Sequence, residues 1–188
     1  MKPELIVIAG HNGSGKSTFA LEYLKENKLP FLNTDEIEKQ ISIDRKGNFR
    51  ILAGRKYFEL IANITEKKES FIIETTLSGK TLYGFLKTLQ KDYIIKIIYI
   101  FLDNSEMAID RIRLRVLKGG HNIDDNDVKR RYDRSKSNFW NQYKEIANEW
   151  EIYYNGNEDF IQVAIGSKKE FIVLDEKLFS LFTGEVKL

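Results

Sequence analysis

Residues 5–18 read "LIVIAGHNGSGKST", and the way this stretch is built decides the fold. Leu5 to Ala9 is a short, continuous apolar run rich in β-branched residues, the pattern of a strand buried on both faces of a parallel sheet. From Ser17 onward Phe19, Ala20, Tyr23 and Leu24 recur at helical spacing, which leaves Glu22, Lys25 and Glu26 for the solvent side. The stretch therefore predicts a strand, a glycine-rich loop and a helix.

The loop, Gly10 to Ser17, matches the phosphate-binding P-loop pattern without a break. Glycines let the backbone curl with its N–H groups turned inward, where they cradle phosphate oxygens at the positive end of a helix. Lys16 would reach the β- and γ-phosphates as a point charge, and the Ser17 hydroxyl would take one position on an octahedral Mg²⁺. Gly10, Asn12, Gly13, Ser14, Gly15, Lys16, Ser17 and Thr18 are thus the expected ATP-binding residues, with Ser17 as the metal ligand. The plain alternative is a glycine-rich turn that binds nothing. The strand–loop–helix context argues against it.

At 188 residues, 42% of them hydrophobic, the chain suits one α/β domain with one substantial core. Thirty basic residues stand against 28 acidic ones, a net charge of +2 that speaks against nucleic acid or a membrane surface as the partner. Cysteine is absent, which excludes disulfides and thiolate metal sites. The first apolar run is too short for the core of a signal peptide and no segment reaches membrane-spanning length, so a cytoplasmic protein is expected.

Strands and helices alternate along the rest of the chain. Phe31 to Asn33 reads as a second strand ending at Thr34-Asp35, either of which could cap a helix from about Glu36. "SIDRKGN", residues 42–48, is a polar loop, and a helix from about Ile51 to Lys67 leads into a third strand, "SFIIETT". "YIIKIIYIFL" is the strongest strand signal, followed by a long basic helix, a break at Asn122–Asp127 and a second helix carrying Trp140, Tyr143, Ile146, Ala147 and Trp150 as a packing stripe. The tail reads as a strand, a loop, two short strands and a terminal helix. This order implies a three-layer α/β/α fold with a mainly parallel sheet, whose ligand lies at the carboxyl ends of the strands.

Gly10, Asp35 and Glu74 all fall at that edge. Phosphoryl transfer needs a nucleotide cradle, a group to orient or deprotonate the attacking hydroxyl, and cations to meet the developing charge. Asp35 is the expected general base, although a helix cap would also use it. Glu74 ends an apolar strand, where an unpaired carboxylate is expensive to bury, so a metal water, a cation or a substrate hydroxyl is its expected partner. Thr75 and Thr76 could hydrogen-bond a substrate. Arg111, Arg113, Arg115, Arg130, Arg131 and Arg134 bracket "KGGHNIDDND", as a helical lid over a triphosphate would, with Arg115 and one of Arg130 or Arg131 facing the phosphates. His121 is expected to order the lid turn rather than to bind metal.

With these residues in hand the chain resembles the zeta-toxin-like branch of the P-loop kinases. The matching blocks are "GHNGSGKST", "NTDEI", "AGRKYF", "SFIIETTLSG", "AIDRIRLRVLKGGHNI" and "VKRRYDRS", in the family's order. The resemblance implies one kinase domain over residues 1–188 with a lid at about 111–137. It implies ATP and Mg²⁺ as cofactors, UDP-N-acetylglucosamine as acceptor and a small helical antitoxin as partner. It further implies Lys16, Asp35, Arg115 and Arg131 as catalytic residues and Asp35, Arg55, Glu74, Thr75 and Thr76 as substrate contacts. Two other readings share the scaffold: a nucleotide-binding switch or bare NTPase working through a protein partner, and a polynucleotide or antibiotic kinase. Asp35 counts against the switch, which needs no base for an alcohol acceptor.

Overall fold

A computed structural model describes residues 1–43, 50–120, 122–156, 159–168 and 170–184. Most of the "SIDRKGN" loop, and His121, lie outside the described residues. The chain runs β1 (Glu4–Ala9), α1 (Lys16–Glu26), β2 (Phe31–Asn33), α2 (Thr34–Ile43), α3 (Arg50–Glu66), β3 (Phe71–Thr75), α4 (Thr81–Leu89), β4 (Ile94–Phe101), α5 (Ser105–Leu117) and α6 (Asp125–Asn138). A π-helical turn (Phe139–Tyr143) and a short α7 (Lys144–Ile146) continue α6, and β5 (Glu149–Tyr154), β6 (Ile161–Ser167), β7 (Phe171–Val173) and α8 (Glu176–Gly184) complete the fold.

The seven strands form one sheet in the order β2-β3-β1-β4-β5-β6-β7. The first five are parallel, and β6 and β7 join antiparallel. Alternation along β1 divides the core: Leu5, Val7 and Ala9 enter a large cluster on one face, and Ile6 and Ile8 a smaller one against α1 on the other. The sheet is therefore covered on both sides, as the apolar runs predict. Because β3 and β4 flank β1 on opposite sides, the chain reverses direction across the sheet at the carboxyl end of β1, where α/β sheets open a crevice.

Two local expectations are corrected. The helix after β2 begins at Thr34 with no intervening strand end, and neither Thr34 nor Asp35 caps it: the Asn33 side chain accepts from the Asp35 backbone N–H at 2.8 Å. Asp35 thus sits in the first turn of α2. The aromatic stripe is not one helical face either. Trp140 and Tyr143 belong to the π-helical turn, Ala147 follows α7, and Trp150 lies on β5. Helical periodicity cannot distinguish a continuous stripe from side chains that converge on one core from a helix and a strand, and all five residues are buried.

Side chains in the middle of α6 anchor it to the core. The Tyr132 hydroxyl donates to the Leu102 and Asp103 carbonyls, both at 3.1 Å, and Tyr99 donates to the Ser135 hydroxyl at 2.8 Å. Lys136, 1% exposed, lies over the rings of Phe101, Tyr132 and Phe182 at 5.2–5.6 Å. The second half of α6 is core structure.

Candidate active site

The loop between β1 and α1 wraps its backbone into a form that only small residues permit. Gly13 has φ 79°, and a Cβ there would come within 2.7 Å of the Ala108 carbonyl; Gly15 has φ 92°, and a Cβ there would collide with the Asn155 amide. Asn155 in turn donates to the Ser14 carbonyl at 2.9 Å, tying the end of β5 to the loop. Lys16 is buried and folds over the loop to donate to the His11 carbonyl at 2.9 Å. Among the described residues the buried Asn12 Oδ1 has no hydrogen-bond partner, and Asn12 lines the cleft. A polar atom left unmatched there fits a polar ligand seated in the cradle.

His11 holds the loop from beneath. The Leu102 N–H donates to its Nε2 at 3.3 Å, which leaves the proton on Nδ1, 2.9 Å from the Asn12 carbonyl that accepts it. The Tyr132 ring packs against it at 4.4 Å. Burial, aided by Lys16, Lys136 and Arg111, pushes its pKa down to about 3. The folded protein therefore keeps His11 neutral while the unfolded chain protonates it near pH 6.5, so the unfolded state binds more protons between those values. The His11 contribution is complete above pH 6.5 and is lost as pH falls toward 3. Urea midpoints of the wild type are expected to drop between pH 6.5 and 4.5 more steeply than those of His11→Gln; parallel slopes would remove His11 from the acid response.

The carboxyl ends of β1, β2 and β3 bring a polar chain together. Asn33, at the end of β2, donates to Glu74 Oε2 at 2.8 Å, and the Ser17 hydroxyl donates to Glu74 Oε1 at 3.1 Å. Burial raises the Glu74 pKa, opposed by Lys16 and by the Ser17 hydrogen bond. Burial likewise lowers that of Lys16, opposed by Glu74 and Asp35. Each group thus favours the charge of the other, and an incoming phosphate would further favour charged Lys16.

These side chains line a cleft of about 480 Å³. From the P-loop and α1 come Asn12, Gly13, Gly15, Lys16, Ser17 and Thr18; from β2, α2, β3 and the residue after it come Asn33, Thr34, Asp35, Glu38, Glu74, Thr75 and Thr76; and from α5 and α6 come Arg111, Arg115 and Arg131. Of Arg130 and Arg131, Arg131 lines the cleft and also reaches Asp127 at 3.9 Å, whereas Arg130 is more exposed, does not line the cleft and pairs with Asp127 at 2.6 Å. Arg113 is likewise engaged outside, with Asp110 and Asp125.

Three predicted residues lie elsewhere. Gly10 and Ser14 shape the loop from within and do not line the cleft, and Arg55 sits on the exposed side of α3, away from it. Residues not singled out from the sequence also contribute. Arg111, seen there only as one of six arginines, lines the cleft and donates to the Gly156 carbonyl at 2.9 Å. Asn33 and Asn155 each end a strand with a polar side chain, the one signal that could have drawn attention to them.

The loop after β3 is bent sharply. Leu77 is 1% exposed and has φ 53°, a left-handed conformation that costs a branched apolar residue on the order of 1–3 kcal/mol. The Thr75 hydroxyl accepts from the Leu77 N–H at 3.1 Å, and the Thr76 and Ser78 hydroxyls lie 2.8 Å apart.

The oxygens at Ser17 fit a hard divalent cation: its hydroxyl and the Glu74 carboxylate to which it donates. Among the described residues no three His, Cys, Asp or Glu side chains form a ready metal cage. Mg²⁺ held mainly by water and phosphate oxygens does not require one.

Residues 5–134 match a protein family described as "AAA domain". The chain belongs to the AAA-domain family. The matched stretch contains Lys16, Asp35, Glu74, Arg111, Arg115 and Arg131, and ends before Asn138 and Asn155. A family relative, an uncharacterized protein of Haemophilus influenzae, is 32% identical over 133 residues, 70% of this chain and 94% of its own. The whole chain superimposes on a chain of the AvrRxo1-ORF1:AvrRxo1-ORF2 complex with sulphate ions at TM-score 0.75 and 16% identity, spanning 65% of that chain. The same complex solved with ATP gives a TM-score of 0.69 at 13% identity, with 100% of this chain and 65% of that one covered. A structure from the PezAT toxin–antitoxin system of Streptococcus pneumoniae matches 97% of this chain and 79% of its own, at TM-score 0.64 and 18% identity. The fold is that of the P-loop kinases. Among the described residues no helix is long and apolar enough to cross a membrane.

Proposed function

We propose that this protein transfers the γ-phosphate of ATP to a hydroxyl of a small acceptor, as the ATP-dependent kinases of its fold do. One observation carries the reading: a single cleft is lined by Lys16 and Asp35 together with Arg115 and Arg131. A bare NTPase needs the cradle and the cations but not a carboxylate in the same cleft as the lysine.

In this reading the P-loop backbone and Lys16 hold the triphosphate, and Arg115 and Arg131 meet charge on the transferring group. Asp35 takes the proton of the acceptor hydroxyl, whose oxygen forms the new bond to γ-phosphorus. The bond from that phosphorus to the β–γ bridging oxygen breaks, and its electron pair leaves with ADP. Mg²⁺, held by Ser17 with Glu74 behind it, would supply neutralising charge to the phosphates. Thr75 and Thr76 border the acceptor side.

UDP-N-acetylglucosamine, the acceptor implied by the zeta-toxin resemblance, is the first compound to test. The structural relatives from AvrRxo1-ORF1:AvrRxo1-ORF2 and from PezAT are paired with second proteins, and a small inhibitory protein partner belongs to the same proposal. The test is mass spectrometry of a panel of hydroxyl compounds, UDP-N-acetylglucosamine among them, incubated with ATP, Mg²⁺ and the protein. A product heavier by one phosphate is expected. ATP hydrolysis that no acceptor stimulates would replace the kinase reading with that of an NTPase.

A further inference from the structure

The loop after β3, which borders the cleft, is held by contacts from outside it as well as by its own hydrogen bonds. It carries Thr75 and Thr76 into the cleft, yet its path depends on a buried leucine in a left-handed conformation. A strained backbone persists only where surrounding contacts over-determine it. Two such contacts come from one place. The Asn138 side-chain amide donates to the Leu77 carbonyl at 2.7 Å, and the Tyr143 hydroxyl donates to the Gly79 carbonyl at 3.1 Å.

Asn138 is the last residue of α6 and Tyr143 the last of the π-helical turn that follows. In an α-helix, positions five apart diverge by about 140° around the axis. In a π-helix, whose wider turn closes hydrogen bonds from i to i+5, they lie much closer to one face. The π-helical turn therefore brings both side chains toward the same loop. Single π-helical turns within α-helices are frequent at functional sites, and here the turn has a definite geometric task.

The same helix also serves the other end of the cleft. Arg131 lies seven residues before Asn138, two α-turns along the same face, and lines the cleft. Tyr132, Ser135 and Lys136 fix the helix between them to the core. A phosphate-facing arginine and the acceptor-side loop therefore share one rigid support. Tyr143 is itself seated by the Tyr83 ring, edge-on at 5.4 Å, so its hydroxyl has little freedom to wander.

We propose that Asn138 and Tyr143 are positioning residues for the acceptor: by holding the Leu77 and Gly79 carbonyls they set where Thr75 and Thr76 stand relative to Arg131. The acceptor part of this rests on the kinase reading above; the anchoring of the loop does not.

Two variants remove the donors with little change of shape. Tyr143→Phe keeps the ring, and Asn138→Asp replaces the donating amide with an acceptor while leaving the oxygen that accepts from Gln142 at 3.4 Å. Hydrogen exchange followed by mass spectrometry, on the full chain, is expected to show amides of residues 76–80 exchanging about tenfold faster in both variants, with those of residues 10–18 unchanged. With UDP-N-acetylglucosamine as acceptor probe, its KM is expected to rise about tenfold while the KM for ATP stays within about twofold. Unchanged exchange at 76–80 in either variant overturns the anchoring, and a loosened loop with unchanged acceptor KM overturns the positioning role. If the wild type makes no product from this probe, that counts against the proposed substrate, and the exchange result alone decides whether the two residues hold the loop.

Discussion

Lys16→Ala is expected to abolish phosphoryl transfer, lowering the rate by about 10³-fold or more. The lysine is buried at the base of the cleft, and in the free protein it donates to the His11 carbonyl. Burial already lowers its pKa, so its charge is held in place by Glu74 and Asp35 rather than by water. A cation kept this way, at a site poor in water, interacts with a transferring phosphoryl group far more strongly than one on the surface. Its removal also leaves Glu74 without its principal opposite charge, which favours the protonated carboxyl. Lys16→Arg is expected to fail as well, because a planar guanidinium cannot replace a point charge folded over so tight a loop. The measurement is ADP formation with circular dichroism as the folding control. A correctly folded Lys16→Ala variant that retains a tenth of wild-type activity would remove the lysine from the transition state.

The second large effect belongs to Asp35→Asn. This substitution keeps size and leaves the local backbone intact, since the contact that fixes the first turn of α2 uses the Asp35 main-chain N–H and the Asn33 side chain. Asparagine cannot accept a proton from an alcohol. ATP binding, measured by calorimetry, is expected to stay within about twofold, while kcat falls about 10²- to 10⁴-fold. Equal losses in ATP affinity and rate would make Asp35 a nucleotide or metal contact. Wild-type transfer would assign the base elsewhere, with Glu38 and Glu74 the other carboxylates that line the cleft.

The P-loop and its context were legible because backbone geometry dictates them locally. Glycines at 13 and 15 suit a local backbone with positive φ, which is legible from the sequence; the close approach of Ala108 and Asn155 reinforces the requirement from distant parts of the chain. The parallel strands were legible for a related reason: a strand buried on both faces must be apolar throughout, so "LIVIA" and "YIIKIIYIFL" announce themselves. Asp35 and Glu74 were found because strand ends in such sheets converge on one edge.

Other residues could not be read this way. Arg130 and Arg131 are neighbours in an arginine-rich run, both within reach of Asp127, and only the packing of α6 on the core turns Arg131 to the cleft and leaves Arg130 outside it. Arg55 fell within a block of resemblance, yet the face that α3 buries leaves it outside. Trp150 continued a helical stripe by spacing alone, but the chain leaves the helix at Ala147 and brings the ring back on β5. His11 looked like one loop residue among several, although its ring receives the N–H of Leu102, 91 positions away.

By itself the sequence determined that this protein has a P-loop on a mainly parallel α/β sheet, with one carboxylate just after β2 and another at the end of β3. Those features follow from short-range sterics and from which residues tolerate complete burial. Tertiary structure alone decided which arginines face the cleft, that Asn33 and Ser17 hold Glu74 between them, and that Asn138 and Tyr143 hold the bend at Leu77. Each of these depends on the rotation of a helix about its axis or on a contact between residues far apart in the chain, and neither is encoded in local spacing.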